Sequence, residues 1–67
     1  MNYFTLFVSF DGGEYSPQFG DYSRNVCIDE MHDSYDGERC IIRATADNQA
    51  AIDAECQHIN TLYKTAI

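Results

Sequence analysis

The chain has 67 residues, with eleven acidic and four basic side chains and a formal net charge of −7. Its hydrophobic share of 45% indicates a globular chain, and its length fits one domain with a small core over residues 1–67. Four bases are too few for the basic patch that direct binding to nucleic acid or to an anionic membrane requires.

The side chains of Tyr3–Phe10 alternate between two faces with the period of a strand, and most of them are β-branched or aromatic. Because it is apolar on both faces, we expect it to be the central strand, covered on both sides. The glycines of Asp11–Gly13 permit the positive φ angles of a tight hairpin turn. A short return strand is predicted over Glu14–Gln18, restricted to the sheet edge by Pro17, and Phe19–Asp21 is predicted to end it.

The next two elements are a helix and a third strand. The helix is predicted over Tyr22–Tyr35, with Asp21 or Ser23 as its N-cap and Gly37 suited to the left-handed conformation after its end. Its apolar stripe has helical spacing and contains Cys27, Ile28, Met31 and Tyr35. The residues Arg39–Thr45 alternate again, which predicts the third strand.

A second helix is predicted over residues 48–65, with Asp47 as its cap. Its stripe consists of Ile52, Cys56, Ile59, Tyr63 and Ala66. The order β-β-α-β-α predicts an α+β fold, a three-stranded antiparallel sheet with two helices packed on one face. We expect that face to be the one that carries Phe4, Leu6 and Val8.

The strongest charge feature is a run of carboxylates on the first helix and the turn after it. The run contains Asp29, Glu30, Asp33, Asp36 and Glu38. Such a surface is suited to a basic protein partner, or to imitating the phosphates of DNA. The alternative is a solvated helix face that keeps the chain soluble.

The second sheet face is expected to be uncovered if both helices lie on the first. It would carry Tyr3, Phe7, Arg39, Ile41 and Arg43. Aromatic residues and arginine are enriched at protein interfaces, so this face predicts self-association or partner binding, with Phe7 at its centre. The alternative is a few exposed apolar groups shielded by tyrosine and arginine stems.

The sequence offers no pattern that indicates catalysis or a cofactor. Three cysteines cannot all pair within one chain, and none stands in a CxxC motif. Cys56 and His58 are two residues apart on a helix and point in different directions, so we expect no metal site. No phosphate-binding loop or nucleophile–base motif is present, which predicts a protein that is not an enzyme. Reduced thiols and the lack of a signal or membrane segment predict a cytoplasmic location.

Two segments resemble small open reading frames of tailed bacteriophages. They are residues 11–22, DGGEYSPQFGDY, and residues 46–53, ADNQAAID. Small acidic phage proteins are often inhibitors of host enzymes or defence systems, including anti-CRISPR and anti-restriction proteins. The resemblance therefore implies a phage accessory protein that acts in the bacterial host cytoplasm. It carries no set of functional residues.

The leading interpretation is a phage protein that binds and inhibits a host nucleic-acid-handling or defence protein through its acidic surface. The alternative is a structural or assembly module that acts as a homodimer through the sheet face. No cofactor, direct nucleic-acid contact or membrane contact is expected in either case.

Overall fold

A computed structural model describes residues 2–64 of the chain. The elements are, in chain order, β1 (Tyr3–Ser9), β2 (Tyr15–Asp21), α1 (Arg24–Ser34), β3 (Arg39–Thr45) and α2 (Gln49–Lys64). Strand β1 lies between β2 and β3 and pairs antiparallel with both. The predicted α+β class, element order and central position of the first strand are confirmed.

The β1–β2 hairpin closes through the predicted Asp-Gly turn. Asp11 and Gly12 both have positive φ, 54° and 75°. The Gly13 N–H donates to the Phe10 carbonyl at 2.9 Å, which closes a type I′ turn. The handedness of this turn matches the twist of the strands that it joins.

Strand β2 ends later than predicted and contains a bulge. Leu6 pairs with Phe19 while Phe7 pairs with Pro17, so Gln18 is one extra residue on β2. Pairing then continues through Asp21, and the predicted break over Phe19–Asp21 is wrong. The edge position predicted for Pro17 is confirmed.

Side-chain caps fix the starts of both helices. The Ser23 hydroxyl accepts from the Val26 N–H at 3.4 Å, so Ser23, one of the two predicted candidates, is the N-cap of α1. The helix begins at Arg24, two residues later than predicted. At α2 the cap is Asn48, whose Oδ1 accepts from the Ala51 N–H at 2.8 Å. The prediction of Asp47 as the cap is therefore wrong. Residues 65 and 66, the predicted helix end and last stripe position, lie outside the described residues.

Both faces of β1 are buried, which corrects the predicted placement of the helices. Leu6 and Val8 on one face and Phe7 on the other are each 0% exposed. Thr5 and Ser9, on the Phe7 face, are 2% exposed. A two-layer arrangement with both helices on the Leu6 face would leave the Phe7 face open to solvent.

The contacts of β3 show which helix covers which face. Arg43 lies opposite Thr5, on the Phe7 face, and forms an ion pair with Glu55 of α2. Cys40 lies opposite Val8, and its thiol donates to the carbonyl of Tyr35, the C-cap of α1. Helix α1 therefore covers the Leu6 face and α2 the Phe7 face. The physical reason is that β1 is apolar on both faces and requires cover on both.

Candidate functional site

The predicted carboxylates lie on the side of α1 that faces away from the sheet and on the turn that leads into β3. We call Asp29, Glu30, Asp33, Asp36 and Glu38 the acidic surface. All except Glu30 are exposed. Glu30 is partly buried, and its carboxylate accepts from the Ser34 hydroxyl at 2.8 Å. Cys27 and Met31, two members of the predicted apolar stripe of α1, are buried and partly buried.

Basic side chains do not neutralise the acidic surface within the part of the chain that the structure describes. Among the side chains of residues 2–63, the one ion pair joins Arg43 to Glu55, with Nε and Oε2 3.9 Å apart. This pair lies on the other side of the sheet from α1. Arg24 and Arg39 are exposed, and neither lies within ion-pair distance of a carboxylate that the structure describes. The acidic surface is therefore not paired with any base that the structure describes, and a surface of this kind attracts basic groups.

The sheet-face residues do not form the exposed patch that the sequence predicted. Phe7 is fully buried beneath α2, and Ile41 is partly buried. Arg43 is held beside α2 by its ion pair with Glu55, and its Nε is buried without a hydrogen bond among the described residues. Arg39 alone of the predicted set is exposed. A dimer centred on Phe7 would therefore require α2 to leave the sheet.

Tyr3, the remaining member of that set, packs across Gly20 of β2. A Cβ atom added to Gly20 would collide with the Tyr3 ring, so this contact requires a glycine. The rings of Tyr3 and Tyr22 pack edge to face, with their centroids 5.0 Å apart. The Tyr22 hydroxyl donates to the Asp47 carboxylate, and this hydrogen bond raises the pKa of the Tyr22 phenol. The cluster connects the loops that precede α1 and α2.

Asn60 is a further structural residue that the sequence analysis missed. Its side-chain amide accepts from the Tyr15 N–H at 2.7 Å and donates to the Tyr15 carbonyl at 3.0 Å. The Cys56 thiol donates to the same carbonyl at 3.1 Å. These bonds attach α2 to the outer edge of β2. The sequence feature that indicates this role is the position of Asn60 one helical turn after Cys56, a residue of the apolar stripe.

A groove of about 240 Å³ opens between β2 and the first turns of α2. Its lining consists of Tyr3, Thr5, Pro17, Gln18, Phe19, Gly20, Gln49 and Ile52. None of these side chains is charged, so the groove and the acidic surface are separate features. Tyr3 is the one titratable side chain in this lining.

The three cysteines act as small packing groups with raised pKa values. Cys27 is buried, and Cys40 and Cys56 are partly buried. Burial is the main cause that raises the pKa of each thiol, and nearby carboxylates raise it further. Among residues 2–64, no three His, Cys, Asp or Glu side chains are arranged to hold a metal ion. A protonated thiol is a weak nucleophile and a poor metal ligand.

The raised thiol pKa values predict a loss of stability at alkaline pH. As the pH rises past the ordinary thiol pKa, the unfolded chain releases its thiol protons first and the folded chain retains them. The unfolded state then binds fewer protons, so the free energy of unfolding should fall with increasing pH across this interval. Urea denaturation followed by circular dichroism at a series of alkaline pH values measures this. A variant with Cys27→Ala and Cys56→Ala should show a shallower decline, and an equally steep decline would contradict the assignment.

No family model, curated protein or solved structure matches this chain. Neither described helix combines the length and the apolar content that a membrane span requires.

Proposed function

We propose that this chain is a non-catalytic binding protein whose acidic surface engages the basic surface of a protein that handles nucleic acid. The observation that supports this is the set of exposed carboxylates on α1 and its following turn, none within ion-pair distance of a base among the described residues. A negative surface of this kind speeds the encounter with a positive groove. Occupying that groove would exclude its nucleic acid, so the function proposed is inhibition by competition.

The position of the acidic surface also favours this role. Helix α1 uses its Cys27 side for packing on the sheet, so the outward side is free of any structural duty except the Glu30–Ser34 hydrogen bond. Changes to the outer carboxylates are therefore compatible with an intact fold. The phage context and a host defence protein as the target are implied only by the resemblance of residues 11–22 and 46–53, and they stay predictions.

Neutralising the exposed carboxylates tests the proposal. The variant Asp29→Asn, Asp33→Asn, Asp36→Asn should fold normally, since exposed charge changes usually alter stability by less than about 0.5 kcal/mol. It should associate more slowly with the partner and bind it more weakly. The difference from wild type should shrink as salt screens the charges. The measurement is capture from a bacterial lysate on immobilised chain, followed by kinetics with the purified partner over a salt titration.

A control with the same change in net charge separates the site from the overall charge. Asp11→Asn, Glu14→Gln, Asp53→Asn removes three exposed carboxylates on the hairpin and α2. This control should retain most of the binding, and duplex DNA should displace wild type from the captured partner. If both variants bound the partner equally weakly, the acidic surface would contribute only to solvation of the chain and would not be the binding site. A lack of competition by DNA would refute nucleic-acid mimicry.

A further inference from the structure

The two outer strands of the sheet differ in how their open edges are protected. The edge of β2 is interrupted by Pro17 and by the bulge at Gln18, and the side chain of Asn60 occupies both backbone groups of Tyr15. Proline, bulges, covering side chains and charged side chains are devices by which proteins prevent an edge strand from pairing. Of these, the edge of β3 has only the charged side chains of Arg39 and Arg43. Its seven residues, RCIIRAT, contain no proline or glycine, and its pairing with β1 is regular throughout.

The Asn60 contact also shows which backbone groups point outward on β3. Tyr15 directs its N–H and carbonyl away from β1, so its partner Ser9 directs its own groups toward β3. Strict alternation in an antiparallel sheet then turns the backbone groups of Cys40, Ile42 and Ala44 to the open edge. Among the backbone groups of residues 2–64 and the side chains of residues 2–63, no hydrogen bond involves these outward groups.

We propose that the open edge of β3 pairs antiparallel with β3 of a second copy, which joins two three-stranded sheets into one. The register is centred on Ile42, so that Ile42 faces Ile42 and Cys40 faces Ala44 across the two-fold axis. All three outward residues of each copy then form hydrogen-bonded pairs, each with two bonds. This interface lies at the edge of the sheet and leaves α1, α2 and the acidic surface in place.

The charges of β3 select the same register. Only alternate residues present outward backbone groups, so the register can shift only in steps of two residues. A shift in one direction places Arg39 opposite Arg43, and a shift in the other places Arg43 opposite itself. Both shifts oppose like charges and leave fewer outward residues paired. The register centred on Ile42 avoids both penalties, which is why a second copy is the occupant that fits this edge.

Salt should act on this association in the direction opposite to its effect on the acidic surface. Two copies that each carry a net charge of −7 repel one another, and added salt screens that repulsion. Self-association should therefore strengthen with salt, whereas binding of a basic partner should weaken. Self-association and partner binding are independent proposals. Their opposite salt dependences distinguish the failure of one from the failure of the other.

Ala44→Pro is the sharpest variant for the test. Ala44 is exposed, and its N–H points away from β1, so proline removes outward hydrogen bonds without breaking the β1–β3 ladder. In sedimentation equilibrium at high salt, the dimer dissociation constant of this variant should be higher than that of wild type by about tenfold or more. Ala44→Thr retains the N–H and is the matched control, with dimerisation close to wild type. Equal dimerisation of the proline and threonine variants would overturn the proposal.

Amide hydrogen exchange on wild type provides a test that needs no variant. The amides of Cys40, Ile42 and Ala44 should exchange quickly in dilute, low-salt solution and become protected as concentration and salt increase. The amides of Ile41 and Arg43 point toward β1 and should be protected throughout, so they are the internal controls. A chain that stays monomeric in high salt at high concentration, or a dimer whose three outward amides stay unprotected, would overturn the proposal.

Discussion

Phe7→Ala should lower the free energy of unfolding by about 3–5 kcal/mol, the range for removing a buried phenylalanine ring. Phe7 is fully buried between β1 and α2, and truncation leaves a cavity that the rigid strand cannot close. Small domains have total stabilities of about 5–15 kcal/mol, so the variant should be close to unfolding at room temperature. Urea denaturation followed by far-ultraviolet circular dichroism measures the loss.

Phe10→Ala is the matched control for this substitution. It makes the same chemical change in the same segment, but Phe10 is 42% exposed and lies beyond the end of β1. Its loss should cost clearly less, chiefly the contact with the Tyr35 ring, whose centroid is 6.0 Å away. If both alanine variants lost equally little stability, the Phe7 face would not be covered by α2. The placement of the sheet between α1 and α2 would then be wrong.

Leu6→Ala should have the second large effect, about 2–5 kcal/mol, on the opposite face of the same strand. Leu6 is 0% exposed beneath α1 and pairs with Phe19 on β2 and Ile42 on β3. Leu62→Ala makes the identical change at a side chain that is 50% exposed on α2, and it should cost much less. Thermal and urea melts of the two variants measure the difference. An unchanged melting point for Leu6→Ala would contradict the central position of β1.

Large losses from both substitutions, Leu6→Ala and Phe7→Ala, are expected only if helices cover both faces. Packing both helices on the Leu6 face would make Phe7 a surface residue and its truncation mild. The pair of variants therefore measures the layer order directly.

The sequence by itself determined the elements and much of their chemistry. The two-residue period of Tyr3–Ser9, the Asp-Gly turn at Asp11–Gly12 and the Ser23 cap depend on neighbours within a few residues, so local rules predicted them. The outward position of Asp29 and Asp33 followed in the same way from the helical spacing of the apolar stripe. These features need no knowledge of the rest of the chain.

Only the tertiary structure decided which face each helix covers and which surfaces stay free. The alternation of β1 shows that two apolar faces exist, but the face that α2 covers is visible only in contacts distant in sequence, such as Arg43 with Glu55. The bulge at Gln18 and the clamp of Asn60 on Tyr15 likewise depend on pairing between separate elements. Because Phe7 is buried, the predicted sheet face is not an exposed surface. The open edge of β3 could be identified only from the strand order. Side-chain periodicity assigns residues to a face, whereas long-range packing decides what covers it.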